Sequence, residues 1–514
     1  MLTYNLAEAA GSLYEFLYRK IRDDIISGAI PPGTRLPSKR ALARNYGISV
    51  ITAQSAYEQL LCEGYARAEP RRGYYAAAAA GKRISPRKTA VSLDIALPAP
   101  EPRDFISISG NNADPGLFPF AAWARMTRKA LTENPARLME IPVTGGLPEL
   151  RKAISRHLSS FRGLLADPDQ IIIGAGTEYL YSLIIQLLGR DRLYATENPG
   201  YPKLMSIYRS NDVRILPISM DSDGIRVSEL EESGAEIAHI TPNHHFPTGI
   251  TMPAGRRFEM LSWSLKKEGR YIIEDDYDSE FRVTGLPLPT LFSSDGAGRV
   301  IYLNTFAKTL TPTIRISYMA LPPDLADLFY RKLSFYSCTV SSFEQLALAE
   351  FINQGFLEKH INKMRLYYTR KRESILKAID ASGLGAISRV HENRAGLHFL
   401  LELRADIPDR ELKERLRERK ILVKTLSEYH MPGDQAPEHF LLINYSSLDP
   451  VKAEQAFREI AAVAGGVSPV QEIPRRNHSR LLHKSLPAVT KKEADCSAPV
   501  FKCGMLSETA YHHQ

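Results

Sequence analysis

Cysteine is scarce in this sequence: four in 514 residues, at Cys62, Cys338, Cys496 and Cys503, with no C-x-x-C pair and no histidines at ligand spacing. That scatter excludes a disulfide framework and a thiolate zinc site. Long apolar runs are missing too. No stretch approaches the ~20 apolar residues that a spanning helix needs, and the opening MLTYNLAEAAGSLYEFLYRK has no basic segment followed by an unbroken apolar one. The expected setting is the cytoplasm, with no membrane partner. Charge of one sign is modest, a net +8, and over this length it does not by itself imply a polyanionic partner. Its distribution says more: Lys82, Arg83, Arg87 and Lys88 cluster early, and Arg475, Arg476, Arg480, Lys484, Lys491 and Lys492 crowd the end. No internal repeat is present.

The chain is too long for one core, since single cores stop growing near ~250 to 300 residues. Residues 76–104, AAAAAGKRISPRKTAVSLDIALPAPEPRD, hold an alanine run, several prolines and no sustained apolar period, which reads as a linker. A small domain is therefore expected over 1–75 and a large one over 105–465. The remainder, 466–514, is polar, basic and aperiodic, and reads as a disordered tail.

In the small domain Leu13, Leu17, Ile21 and Ile25 recur at i+4, with Phe16 beside them, which predicts an amphipathic helix ended by Gly28. Ser38 is placed to cap a second helix, KRALARNY, and Gly47 to turn into a third that Ser49 caps and Gly64 stops. Ala53, Tyr57, Leu60 and Leu61 form the buried stripe of that third helix, leaving Thr52, Gln54 and Ser55 on its other faces. The following YARAEPRRGYYAA alternates like a hairpin wing, with Arg71, Arg72 and Gly73 at the tip. Helix, tight turn, helix is the arrangement that sends N-terminal side chains of the second helix into a major groove. Small polar residues there reach base edges, and flanking arginines suit phosphates. GTRLPSKRALARNYGISVITAQSAYEQLLCEGY, within a match over 12–75, closely resembles the winged helix-turn-helix of GntR-type bacterial regulators. That resemblance makes Arg35, Ser38, Arg40, Ser49, Thr52 and Arg72 the candidate contacts to a double-stranded DNA operator.

Three segments of the large domain carry chemistry. IIIGAGTEYLYSLIIQLL (171–188) is an apolar strand feeding a small-residue turn and a helix, which offers a helix start to a phosphate. YIIEDDYDSEF (271–281) is an apolar strand ending in carboxylates, as when a buried parallel strand delivers acids to the C-terminal edge of a sheet. VIYLNTFAKTLTPTIRIS (300–317) places a lysine after a strand and Arg315 seven residues on. Together they fit pyridoxal 5'-phosphate, which needs a lysine for a Schiff base, a carboxylate at its ring nitrogen, and cationic and amide donors at its phosphate. Lys308 takes the first role and Asp275 the second, while Thr305, Arg315, Gly176 and Thr177 take the third. In ENPGYP, Tyr201 is placed to lie against the ring, and Tyr277 to bond its hydroxyl.

The order phosphate turn, stacking aromatic, PTG turn, acid, lysine, arginine resembles fold-type I aminotransferases, and so do GGLPELRKAISRHLSSFRG, HHFPTGITMP and TFAKTLTPTIR. The fold expected is thus an α/β large domain of the fold-type I PLP-dependent aminotransferase type, preceded by a small winged helix-turn-helix domain. A GntR-type reader, a linker and such a domain together resemble the MocR/GabR family of regulators, over about nine-tenths of the chain. The resemblance implies a homodimer and a gene controlled by a small-molecule effector that reaches the cofactor.

Several positions depart from the enzyme pattern. The asparagine that bonds the cofactor's ring oxygen is Phe246, and the serine often found before the lysine is Ala307. The arginine that forks onto a substrate carboxylate falls at Leu442, and a tyrosine that reaches the neighbouring subunit's phosphate falls at Ile141. Losing a charge-assisted pair removes roughly 1.5 to 3 kcal/mol per hydrogen bond. The reading is therefore a transcriptional regulator that senses an amine, an amino acid or pyridoxal phosphate itself, with Lys203, Arg394, His398 and Lys424 as alternative carboxylate anchors. An active aminotransferase tethered to DNA, and a scaffold with a vestigial cofactor, are the competing readings. His244 and His245 invite a metal reading, which is set aside because no third ligand stands near them in sequence.

Overall fold

A computed structural model of the chain describes residues 3–9, 11–78, 95–97, 102, 104–110, 114–282, 288–391 and 395–465. Most of the expected linker and the whole expected tail lie outside the described residues, as do the two basic clusters, Arg394, Cys496 and Cys503. Two compact units result, Met1–Pro100 and Glu101–Gln514.

The first unit contains α1 (Leu13–Ser27), β1 (Arg35–Leu36), α2 (Lys39–Tyr46), α3 (Val50–Cys62), β2 (Ala66–Glu69) and β3 (Gly73–Ala76). The caps are where local chemistry puts them. Ser38 Oγ accepts from the Ala41 amide at 3.1 Å and Ser49 Oγ from the Thr52 amide at 3.0 Å, while Gly28 and Gly47 turn left-handed at φ 81° and 64°. Leu17, Ile21, Leu42, Ala53, Tyr57 and Leu60 make a core in which none is more than 1 % exposed. Burying each of the larger ones contributes roughly 1.5 to 3 kcal/mol. Leu13, expected in this stripe, is 38 % exposed: it is the first residue of α1, a full turn ahead of the packed stretch. Leu61 is only partly buried. Tyr57 OH donates to Pro37 O at 2.7 Å and so ties α3 to the chain entering α2. The three strands order β1-β3-β2 into the wing, and Arg71 turns left-handed at its tip, at φ 63°.

The second unit runs through β4 (Ile106–Ser107), β5 (Ile171–Gly174), β6 (Leu193–Asn198), β7 (Arg214–Asp221), β8 (Gly224–Ile225), β9 (Ile237–Ile240), β10 (Tyr271–Asp275), β11 (Val300–Thr305) and β12 (Ser317–Ala320). Then come β13 (Ser388–His391), β14 (His398–Leu403), β15 (Ile421–Leu422) and β16 (Phe440–Asn444). Eight of these form one sheet, β5-β12-β11-β10-β9-β6-β7-β8. Strands β11, β10, β9, β6 and β7 are mutually parallel, and β12 runs against both of its neighbours. Apolar runs such as IIIG are covered on both faces, as parallel strands require. The helix Thr177–Leu188 packs over Leu303 and Met319 on one side, and Leu150, Ile154 and Leu348 pack under Tyr302 and Tyr318 on the other. A smaller sheet, β13-β14-β16, packs with the helices Phe356–Ala381 and Pro450–Ala464 around Phe399, Leu441 and Phe457. No helix among the described residues is long and apolar enough to cross a membrane.

Register decides what meets at the sheet's edge. Thr305 pairs with Ser317, Ser317 with Gly174, and Asp275 with Leu303. The turn after β5, the lysine turn after β11 and the acid ending β10 therefore emerge side by side.

Candidate functional site

On the first unit, Arg35, Arg40 and Arg72 are exposed, and Arg35 stands against the wing, with its Nε 3.5 Å from where a Cβ on Gly73 would be. Ser38 and Ser49 are exposed at the two helix starts, with their oxygens already accepting cap bonds. Ser49 Oγ and Thr52 Oγ1 are 2.8 Å apart, so these two hydroxyls act as a pair at the start of α3. The six predicted contacts thus fall on β1 (Arg35), on α2 and its cap (Arg40, Ser38), on α3 and its cap (Thr52, Ser49) and in the turn between β2 and β3 (Arg72).

In the second unit, Asp275 ends β10 with its carboxylate buried. Its Oδ2 accepts from Tyr181 OH, and His239 Nε2 lies 3.7 Å from the same oxygen. Burial, and then Asp275 itself, push the Tyr181 phenol well up, which keeps its proton in place. His239 is fixed from behind by Tyr208 OH at 2.8 Å from Nδ1. Asp275 Oδ1 is buried and has no hydrogen-bond partner in the chain. A buried carboxylate oxygen with no donor is costly, and a protonated ring nitrogen is a donor of the right kind to complete it.

The turn after β5, where a phosphate is expected, is built by exclusion. Gly176 has φ 91°, and a Cβ there would stand 2.8 Å from Arg315 Cζ. Its own amide turns back to Gly174 O at 2.8 Å, so Gly176 gives the turn its shape, and the amides that an anion could meet there are those of the first turn of the helix Thr177–Leu188. Arg315 is itself left-handed at φ 51°, with its NH2 3.4 Å from Glu178 Oε2. Lys203 pairs with the other Glu178 oxygen. Thr305 caps the short helix Phe306–Thr309, its Oγ1 accepting from the Ala307 amide at 3.1 Å and from Ser317 Oγ at 2.8 Å.

Lys308 sits on that short helix, partly buried, and burial holds its amine down to about 8 against the opposing pull of Asp278. Nearby, His244 Nδ1 lies 2.9 Å from Asp278 Oδ2, and the rings of His244 and His398 are 4.4 Å apart. One ligand-type atom from each of these three buried residues lies within 4.8 Å of the others. The expectation that His244 lacks neighbouring ligand types is thereby corrected: Asp278 and His398 arrive from 34 and 154 residues further along the chain, a convergence that spacing does not reveal. His245 stands apart, bonded to Thr248 at 2.7 Å and 3.4 Å from Glu197. Burial drives His245 down to about 3 and lifts Glu197 to about 7. Tyr277 OH reaches His244 Nδ1 at 3.4 Å.

Phe246 anchors the remaining wall. Its ring meets Tyr201 at 5.9 Å, His398 at 5.2 Å and Tyr429 at 5.2 Å, all edge-on. It packs on Leu400 and Leu442, cross-strand partners that are 4 % and 2 % exposed. Of the four alternative carboxylate anchors, His398 belongs to this wall, Lys203 lies on the phosphate side, Lys424 is exposed, and Arg394 lies outside the described residues. Ile141 is 78 % exposed.

Two features stand outside what the motifs announce. EDDYDSEF points to Asp275 and Tyr277, yet Asp276 forms a buried 2.5 Å pair with Arg162 and accepts from Asn243 and Tyr302. Tyr181 and His239, which flank Asp275, were missed as well. For Tyr181 a signal existed, since it follows Thr177 by one helical turn on the same face.

Residues 13–75 match the family described as bacterial regulatory proteins, gntR family. Over 422 residues the chain is 37% identical to YdeL, an HTH-type transcriptional regulator of Bacillus subtilis, across 82% of this chain and 90% of that one. It is 29% identical over 453 residues to the probable rhizopine catabolism regulatory protein MocR of Rhizobium meliloti, across 85% and 91% of the two chains. Among solved structures, a kynurenine aminotransferase of Pyrococcus horikoshii aligns with a TM-score of 0.63 at 23% identity, over 70% of this chain and 91% of that one. That likeness shows the fold-type I aminotransferase fold.

Proposed function

The chain belongs to the MocR/GabR family of GntR-type transcriptional regulators, and from that premise we propose that it binds an operator through its first unit and senses a small-molecule effector through pyridoxal 5'-phosphate held in its second. The observation that carries this reading is Asp275: a buried carboxylate flanked by Tyr181 and His239, with one oxygen left without a donor. Lys308, partly buried, leaves the adjacent strand.

When bound, pyridoxal phosphate supplies an aldehyde that reacts reversibly with primary amines. The chain's own residues do the rest. Arg315, Thr305 and the amides starting at Thr177 hold the phosphate. Asp275 keeps a proton on the ring nitrogen, Tyr201 and Tyr277 border the ring, and Lys308 holds or releases the proton on its own amine. Arg35, Arg40 and Arg72 meet DNA phosphates, while Ser38, Ser49 and Thr52 present the two helix starts to the groove.

A homodimer in the cytoplasm completes the proposal. Ile141 and Val143, 78 % and 54 % exposed, adjoin Phe335, 73 % exposed, through Thr144, which donates to Ser334 O at 2.9 Å. The same segments reach the turn after β5: the Cys338 amide donates to Pro142 O at 3.2 Å, and Thr339 Oγ1 accepts from the Ala175 amide at 3.0 Å. Exposed apolar groups of this size mark a surface that a partner covers, here a second copy. Leu442 at the substrate-carboxylate position weighs against turnover of ordinary amino acids.

The test is operator affinity with and without pyridoxal phosphate, for the native chain and for Lys308→Ala. The sensor reading expects the cofactor to change affinity in the native chain only. Cofactor-independent binding with fast transamination supports the tethered enzyme, and indifference to both changes supports the scaffold.

A further inference from the structure

The side chains gathered beside Lys308 also restrict what the effector is, an inference that rests on the sensing role proposed above. Lys308 marks where an incoming amine arrives. Phe246 gathers Tyr201, Tyr429 and Leu442 around it, and His398, whose ring meets Phe246 at 5.2 Å, also feels the charge of Lys308, so this apolar cluster stands beside Lys308 across His398. Three rings stand edge-on to Phe246, the packing that apolar aromatic surfaces prefer.

Charge says the same. Asp275 and Asp278 are buried carboxyl groups at the site, Asp278 beside His244 and Asp275 beside Tyr181. Of the cations, Arg315 and Lys203 share Glu178 on the phosphate side. His398 points Nε2 at Pro247 O, 3.2 Å away, so that nitrogen is turned to the backbone and not to an incoming carboxylate. Lys424, whose carbonyl accepts from the Leu442 amide at 2.9 Å, is exposed and has no ion pair with a residue of the Phe246 wall among the described residues. A carboxylate entering here would leave water for a surface of rings and leucine, with the carboxyl groups of Asp275 and Asp278 already holding the nearby donors Tyr181 and His244. Burying an unpaired carboxylate is prohibitive.

We infer that the effector is a primary amine with no carboxylate, carrying an aryl or similarly flat apolar group that lies against Phe246, Tyr201 and Tyr429. The amino group meets Lys308, and the apolar group occupies the place where an amino acid would put its carboxylate.

Two probes that differ only in the carboxylate test this on the full chain loaded with pyridoxal phosphate: 2-phenylethylamine and L-phenylalanine. Binding is read from the visible absorbance of the cofactor and, independently, from operator affinity by fluorescence anisotropy. The expected result is tighter binding of 2-phenylethylamine by at least about tenfold, about 1.4 kcal/mol, with a matching shift in operator affinity. Leu442→Arg should narrow or reverse the ratio. Should that variant fold poorly, Phe246→Ala should weaken 2-phenylethylamine while leaving methylamine unchanged. Arg394→Ala and Lys424→Ala should leave the ratio as it is. Tighter binding of L-phenylalanine, lost in either of those last two variants, overturns the inference, and so does a loaded chain that responds to neither probe. In both cases the sensing role survives if the cofactor itself alters operator affinity. A chain that never loads the cofactor takes down both.

Discussion

Gly176 and Arg315 meet so closely that a single methyl group on the glycine would stand 2.8 Å from the guanidinium carbon. The backbone at φ 91° already excludes other residues without strain. Gly176→Ala should therefore displace Arg315 and weaken pyridoxal phosphate by about tenfold or more, on the order of 1 to 3 kcal/mol for a strained backbone position. Equilibrium dialysis measures it, with circular dichroism to show that the fold persists. Unchanged affinity would remove the turn from the phosphate site.

Asp275→Asn should reduce cofactor affinity and alter the cofactor's visible absorbance, because an amide cannot hold a proton on the ring nitrogen. Tyr181→Phe removes one charge-assisted donor and should act in the same direction by about 1.5 kcal/mol, roughly tenfold. If the asparagine variant has a native spectrum, Asp275 does not face the ring.

Lys308 has its amine lowered to about 8 by burial. The neutral amine is the reactive form, so the rate of cofactor uptake should rise with pH toward about 8 and level off above it. Stopped-flow absorbance follows this directly. The linked effect on stability has a definite sign. Between about 8 and the ordinary lysine range the unfolded chain binds the extra proton, so the cofactor-free native chain gains stability as pH rises through that window. Lys308→Ala should lose that gain in urea titrations on either side of it.

Ser49 caps α3 and bonds Thr52 through both its backbone and its hydroxyl. Ser49→Ala should lower the stability of the first unit by about 1 kcal/mol and also weaken operator binding. Arg72→Ala and Arg40→Ala should each reduce the slope of log affinity against log salt by ~0.9 if each arginine meets one phosphate. An unaltered slope would return that arginine to the solvated surface.

Local chemistry was legible and long-range convergence was not. Ser38, Ser49, Gly28 and Gly47 declared helix ends because a cap needs partners only three or four residues away. The strands IIIG, YIIED and VIYLNT declared themselves by apolar runs, and their ends gave Asp275, Thr305 and Lys308. Leu13 misled because the i+4 pattern does not say where packing begins. His244, Asp278 and His398, or Arg162 and Asp276, come together only through strand order, and nothing about their spacing announces it.

Strand β12, running against its neighbours between β5 and β11, has a temporal consequence. The turn at Gly176 is synthesised long before Arg315 and Ser317, and His398, Tyr429 and Leu442 come later still. Contacts of such separation close only after the intervening chain exists, whereas α1, α2, α3 and the wing need nothing beyond Ala76. On the ribosome the unit that matches the gntR family is therefore complete early, while the unit with the aminotransferase fold is among the last to be finished. If the proposed function holds, a chain cut short anywhere before β16 would be a deaf reader, competing for the same DNA and answering to no signal.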